Sequence, residues 1–164
     1  MSAITETLGS DKAANAATAL LANDSFTLFA AKSINEAYAR SAVAAFAALC
    51  DPSVSAIADI KTVVSEAVTN AIVHGYAGFE NKQECIVSIV CKMTEGNKLI
   101  IRIRDKGRGI EDIHTAMQPL YTTDTDGERS GMGFTVMQSF TDGIRVRSAP
   151  GKGTVVTLEK RLKR

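Results

Sequence analysis

The stretch ECIVSIVCKMTEGNKLIIRIRD, residues 84–105, constrains this chain more than any other. In KLIIRIRD the apolar Leu99, Ile101 and Ile103 alternate with Arg102 and Arg104. A strand turns successive side chains to opposite faces, so one face here is apolar and the other charged. TEGN, between the two runs, is a hairpin signal. A second pair, GIRVRSA and GTVVTLEKRL, alternates in the same way across the turn PGKG, and SFTLFAA nearer the start reads as a further strand. An antiparallel sheet with one apolar face needs a second layer to cover it.

That layer must come from the helical segments. NEAYARSAVAAFAALC is Ala rich and predicts a helix with Val43, Phe46 and Cys50 on its buried side. The Asp51–Pro52 pair breaks it. A second helix runs from about Val54 to Gly75, and Gly75 suits the residue that terminates it. At about 100° per residue, Ile60, Val64, Ala67, Val68, Ala71 and Ile72 share its apolar side. IEDIHTAMQP predicts a short helix stopped by Pro119, LYTTDTDGERSG a polar loop, and MGFTVMQSF another helix. Together these predict an α+β fold, a two-layer α/β sandwich with a mostly antiparallel sheet and helices on one face. Residues 1–24, rich in Ala, Asn, Thr and Ser, read as a flexible N-terminal extension, and residues 25–164 as one domain.

Composition removes several classes of function. Nineteen Lys and Arg against 18 Asp and Glu leave a formal charge of +1, too little for a general nucleic-acid surface. No apolar run reaches the roughly 20 residues of a membrane helix. MSAITETLGSDK lacks the apolar core of a signal peptide. Three cysteines without metal-ligand spacing and only two histidines argue against zinc and fit a reducing cytoplasm. Cys85 and Cys91 are an even number of residues apart and should share one strand face.

Candidate chemistry gathers at three places. In SEAVTNAIVHGY, Glu66, Asn70 and His74 stack along the border of the apolar helix face. Asn is a poor mid-helix residue, because its side chain competes for backbone hydrogen bonds, although a solvated helix edge would carry the same stripe. Asp105 continues the inward set Leu99, Ile101, Ile103, so a carboxylate ends a strand on the core side, where it is costly without donors. It could cap the turn DKGRG or, with the inward Thr154, read an exocyclic amine and ring nitrogen as on adenine. Gly107 and Gly109 allow positive φ and close approach of backbone to a ligand. Gly131 and Gly133 precede a helix whose free amides suit phosphate, and Arg129 is near enough in sequence to reach it.

The order of these features, E-x-x-x-N, D-x-G-x-G after a strand, a polar lid, S-G-x-G before a helix and G-T opening the last strand, resembles the GHKL ATP-binding fold. In wording as well as spacing, NEAYAR, DIKTVVSEAVTNAIVHGY, DKGRGI, QPLYTT and ERSGMGF are similar to the anti-sigma-F serine kinases of spore-forming bacteria, the SpoIIAB family, over about residues 25–160. The resemblance implies that ATP binds at Asn70, Asp105, Gly107, Gly109, Ile110, Arg129, Ser130, Gly131, Met132, Gly133, Phe134 and Thr154. It implies Mg²⁺ at Asn70, and Glu66 as general base for an incoming hydroxyl. Arg40 matches the family's partner-contacting arginine. Two partners follow: a sigma factor held by an ATP-bound homodimer, and an anti-anti-sigma protein phosphorylated on serine. No direct nucleic-acid or membrane contact is expected, and the location is cytoplasmic. The N-terminal extension and DTDGE in the lid depart from the family pattern. Two other readings stay open: a stress-response anti-sigma kinase acting on another sigma factor, and a non-catalytic nucleotide-dependent module that sequesters its partner. Glu66 beside Asn70 favours the kinase, since a pure binder needs no base.

Overall fold

In a computed structural model that describes residues 24–81, 84–119 and 131–163, the first hairpin forms where the alternation requires it. Strands β2 (Ile86–Thr94) and β3 (Lys98–Arg104) pair with Ile89 opposite Ile103 and Cys91 opposite Ile101. The second hairpin joins β4 (Gly143–Ala149) to β5 (Gly153–Arg161), and β1 (Asp24–Ala30) lies at the other edge. The order is β1-β2-β3-β5-β4, and every neighbouring pair is antiparallel. Residues 1–23 lie outside the described residues, as do Leu120 to Ser130 of the expected lid.

Helices cover one face. Helix α1 (Ile34–Ala48) buries Ala39, Val43, Ala44 and Ala47. Val43 matches the expectation; Phe46 and Cys50 lie half-buried at the margin. The small alanines form the stripe instead, letting α1 approach its neighbour closely. Helix α2 (Val54–Asn70) starts at Ser53, whose hydroxyl accepts the Ala56 N–H over 3.3 Å. Its buried side holds Ile60, Val64, Ala67 and Val68 as expected, and Val63 in addition. Helices α3 (Ile113–Ala116) and α4 (Gly133–Phe140) follow.

The core between the layers joins Val87, Ile89, Leu99, Ile101, Ile103, Val156 and Leu158 of the sheet to Val43, Ile60, Val64, Val68 and Met137 of the helices. Cys85 and Cys91 are both buried there, as their spacing requires, and burial pushes the Cys91 thiol up to about 12. The far face of the sheet is bare at β1, where Phe26 is 62% and Leu28 56% exposed.

The end of α2 departs from expectation. After Asn70 the backbone widens into a π-helical turn over Ala71–Gly75, closed by the Tyr76 N–H on the Ala71 carbonyl at 3.2 Å. Gly75 is not the left-handed terminator; Gly78, further on, has φ 78°. What crowds a side chain at Gly75 is the carboxyl of Asp105: a Cβ there would stand 3.1 Å from Asp105 Cγ and Oδ1.

Candidate nucleotide-binding site

Asp105 continues the inward face of β3 and is 4% exposed. Its Oδ1 accepts the Gly107 N–H over 2.8 Å and the Thr154 N–H over 3.2 Å, while its own N–H donates to the Thr154 carbonyl over 3.0 Å. The turn-capping role is therefore real, and it uses one oxygen. Oδ2 takes no hydrogen bond from the described residues. Burial raises the carboxyl above its ordinary range; the Gly107 and Thr154 N–H groups oppose that without cancelling it. Such a group suits a ligand donor.

Gly107 and Gly109 serve different purposes. Gly107 packs on the Gly75 carbonyl, where a Cβ would lie 2.0 Å from the oxygen. It stands behind the cleft rather than lining it. Gly109 has φ 75° and passes within 2.0 Å, measured from a built Cβ, of the Ala149 carbonyl. The loop is anchored twice more, by the Arg108 N–H on Gly75 O at 2.7 Å and the Gly151 N–H on Arg108 O at 2.6 Å. Ser148, an inward residue of β4, accepts the Ile110 N–H at 2.8 Å, donates to Gly153 O at 2.8 Å and lies 2.9 Å from the Thr154 hydroxyl. Reading the sequence did not single Ser148 out, although its parity with Ile144 and Val146 carried the signal.

A cleft of about 1110 Å³ opens beside Asp105. Of the residues expected from sequence, Glu66, Asn70, Asp105, Gly109, Ile110, Gly131, Met132, Gly133, Phe134 and Thr154 line it. Arg129 and Ser130 lie outside the described residues. Gly133 opens α4 directly against α2: a Cβ on it would meet Glu66 Oε2 at 3.1 Å and Asn70 Nδ2 at 3.3 Å. Glu66 and Asn70 of the α2 stripe thus stand against a helix start at the edge of the cleft. His74 and Gly75 continue the same wall.

Arg40 is also on this cleft, with Glu36 and Ser65. Its Nη1 lies 2.5 Å from both carboxylate oxygens of Glu36, and Ser65 donates its hydroxyl to Glu36 Oε1. Burial alone would raise the Glu36 carboxyl, but the hydrogen bonds from Arg40 and Ser65 and the Arg40 charge outweigh it and hold the group low. Arg40 keeps 38% of its side chain exposed and shares the cleft with Gly109, Gly131 and Gly133 despite its distance from them in sequence. Among the described residues no cluster of three or more His, Cys, Asp or Glu could hold a metal. No helix among them is long and apolar enough to cross a membrane.

A two-layer α/β sandwich with a buried carboxylate, glycine-hinged loops and an E-x-x-x-N helix around one cleft defines a histidine kinase-like ATPase domain, and residues 29–160 match that family. The chain is 57% identical over 132 residues to the anti-sigma F factor of a Thermoanaerobacter species, spanning 80% of this chain and 89% of that protein. It is 51% identical over 142 residues to the anti-sigma F factor of Clostridium acetobutylicum, spanning 87% and 96%. Within the ATPase class, the chain belongs to the anti-sigma F factor family. Solved structures agree on the fold: the RsbU and RsbW domains of Rv1364c from Mycobacterium tuberculosis superpose with a TM-score of 0.59 at 21% identity, over 85% of this chain and 33% of that one. The SiaB–SiaC complex from Pseudomonas aeruginosa gives 0.54 at 11% identity, over 83% and 88%.

Proposed function

We propose that this anti-sigma factor is an ATP-dependent protein-serine kinase that holds a sigma-F-like sporulation sigma factor and phosphorylates a serine of its anti-anti-sigma partner. The observation that carries this reading is the meeting of Glu66 and Asn70 at Gly133, in the cleft that also contains Asp105 and Arg40. The residues fit the nucleotide. Asp105 offers a buried acceptor for the adenine amine, Thr154 a hydroxyl beside it, and the amides opening α4 a seat for phosphate. Mg²⁺ would be held by the Asn70 side chain together with phosphate oxygens and water, the mode usual for this ion, and supplies charge neutralisation on the phosphates. Ile110, Met132 and Phe134 supply apolar wall, and Arg129 with Ser130 would close the phosphate end.

In the proposed reaction the serine oxygen bonds to the γ-phosphorus, the bond from that phosphorus to the β,γ-bridging oxygen breaks, and the serine proton passes to Glu66. Phosphoserine and ADP result. Positioning and charge carry most of such a transfer, so one carboxylate base suffices. Arg40 is the partner contact in this reading. Its Nη1 is engaged by Glu36, which leaves the Nε and Nη2 donors for a partner acceptor. The active form is a homodimer, supported by the exposed Phe26 and Leu28 on the uncovered sheet face.

The test mixes the protein with ATP, Mg²⁺ and the anti-anti-sigma protein and reads the product by mass spectrometry. Phosphoserine on the partner is expected. Tight sigma binding without any phosphorylated partner would favour the non-catalytic module, and preference for a different sigma factor the stress-response reading.

A further inference from the structure

Gly75 and Tyr76, which follow the E-x-x-x-N segment, grip the base pocket from behind. Tyr76 is 2% exposed and does not line the cleft. Its hydroxyl donates to Ile86 O at 2.6 Å and accepts the N–H groups of Ile86 at 3.1 Å and Lys106 at 2.9 Å. Lys106 is the residue directly after Asp105. One residue earlier, the Gly75 carbonyl accepts the Arg108 N–H at 2.7 Å, and the bare Gly75 Cα leaves room for the Asp105 carboxyl. The π-turn is what delivers this pair: its wider winding carries Gly75 and Tyr76 over the loop that follows β3.

We infer that Gly75 and Tyr76 are positioning residues that set the Asp105 carboxylate for base recognition and couple it to the helix bearing Glu66 and Asn70. Resting on the proposed nucleotide reading, the inference adds a determinant of base specificity that touches no ligand in the case of Tyr76. The Asp105 carboxyl is held on one oxygen by two N–H groups from different segments, Gly107 and Thr154, so a small shift of the loop re-aims the other oxygen. Without the Tyr76 hydroxyl, the Lys106 N–H loses its acceptor and the loop its link through Tyr76 to Ile86 of β2. A methyl at Gly75 acts from the other side, pressing on Asp105 Cγ and Oδ1 at 3.1 Å.

The experiment compares full-length wild type, Tyr76→Phe, Gly75→Ala and Asp105→Asn by calorimetric titration with Mg-ATP and Mg-GTP, and by single-turnover phosphorylation at saturating ATP. Tyr76→Phe keeps the ring and its edge-on contact with Phe79, 5.3 Å between centroids. It should weaken ATP binding and the ATP-over-GTP preference by about tenfold, the scale of one lost hydrogen bond. The saturated single-turnover rate should stay within about threefold, because Glu66 and Asn70 are untouched. Gly75→Ala should likewise weaken ATP binding and the ATP-over-GTP preference, and carries the binding test alone if Tyr76→Phe does not fold. Lower thermal stability with unchanged ATP affinity and preference in both variants would overturn the inference and leave the nucleotide reading standing. Wild type that binds no ATP, or Asp105→Asn with an unchanged ATP-over-GTP preference, would remove that reading and this inference with it.

Discussion

Ser65 on α2 donates its hydroxyl hydrogen to Glu36 on α1, and Ser65 is the residue immediately before Glu66. Glu36 in turn holds Arg40 through both carboxylate oxygens. The residue proposed to meet the partner and the residue proposed to take the serine proton are thus joined by two side-chain hydrogen-bonded steps and one peptide link, and both line the same cleft.

Arg40→Ala should separate a partner contact from a surface ion pair. On an exposed helix the pair with Glu36 contributes only about 0.2–0.5 kcal/mol, so thermal stability should barely move. A partner hot spot costs about 2 kcal/mol or more on truncation. Titration of the variant with the sigma factor and with the anti-anti-sigma protein, in ATP and in ADP, reads the difference. Unchanged affinity for both would make Arg40 an ordinary surface residue.

Asp105 predicts a pH dependence with a definite sign. Its folded carboxyl titrates above the ordinary 3.8, so the folded protein binds more protons than the unfolded chain over that interval. The contribution of this group to stability therefore falls as pH rises from 3.8 through the folded value. Asp105→Asn should abolish that slope and leave the nucleotide-free protein no less stable at neutral pH. ATP binding should weaken by roughly 1–3 kcal/mol, the cost of a lost hydrogen bond to a buried group. Melting curves from pH 4 to 7 on both proteins, without nucleotide, check the slope; parallel curves would contradict it.

Gly133→Ala should spare the fold and harm the chemistry. The added methyl would lie 3.1 Å from Glu66 Oε2 and 3.3 Å from Asn70 Nδ2, and both side chains have flexible ends that can yield. Displacing reacting groups by a fraction of an ångström to 1 Å costs up to about a hundredfold in rate. Single-turnover phosphorylation should slow by about ten- to a hundredfold while the melting temperature stays near wild type. A wild-type rate would mean that Glu66 and Asn70 are not held at that helix start during turnover.

Ser148→Ala removes an acceptor for Ile110 and a donor to Gly153 in one change. Leaving such part-buried groups unpaired costs about 1–3 kcal/mol, which urea unfolding would register. A loss below about 0.5 kcal/mol would show that water replaces the hydroxyl.

Much of this site was legible in the chain, for reasons that differ from residue to residue. Period-two alternation alone turned Asp105 and Thr154 inward and put Cys85 and Cys91 on one face. Helical spacing alone aligned Glu66, Asn70 and His74, and the cleft indeed runs along that line. The purpose of single glycines was not legible. Gly75 looks like a helix terminator in sequence, because nothing local says that a carboxyl thirty residues later will fill its missing Cβ. The π-turn is hidden for the same reason: it depends on ties from Gly75 and Tyr76 to a loop distant in the chain. Arg40 beside Ser65 is a matter of how α1 packs on α2, which the buried alanines of α1 decide and the larger Phe46 and Cys50 obscured.

The most direct test of the central claim is single-turnover phosphorylation of the anti-anti-sigma protein by Glu66→Gln. Glutamine keeps the size and hydrogen-bonding reach of glutamate but cannot take the serine proton. Glu66→Gln should bind ATP near-normally and form phosphoserine about 10²–10⁴-fold more slowly. A wild-type rate of phosphoserine formation in Glu66→Gln would contradict the role of Glu66 as the base.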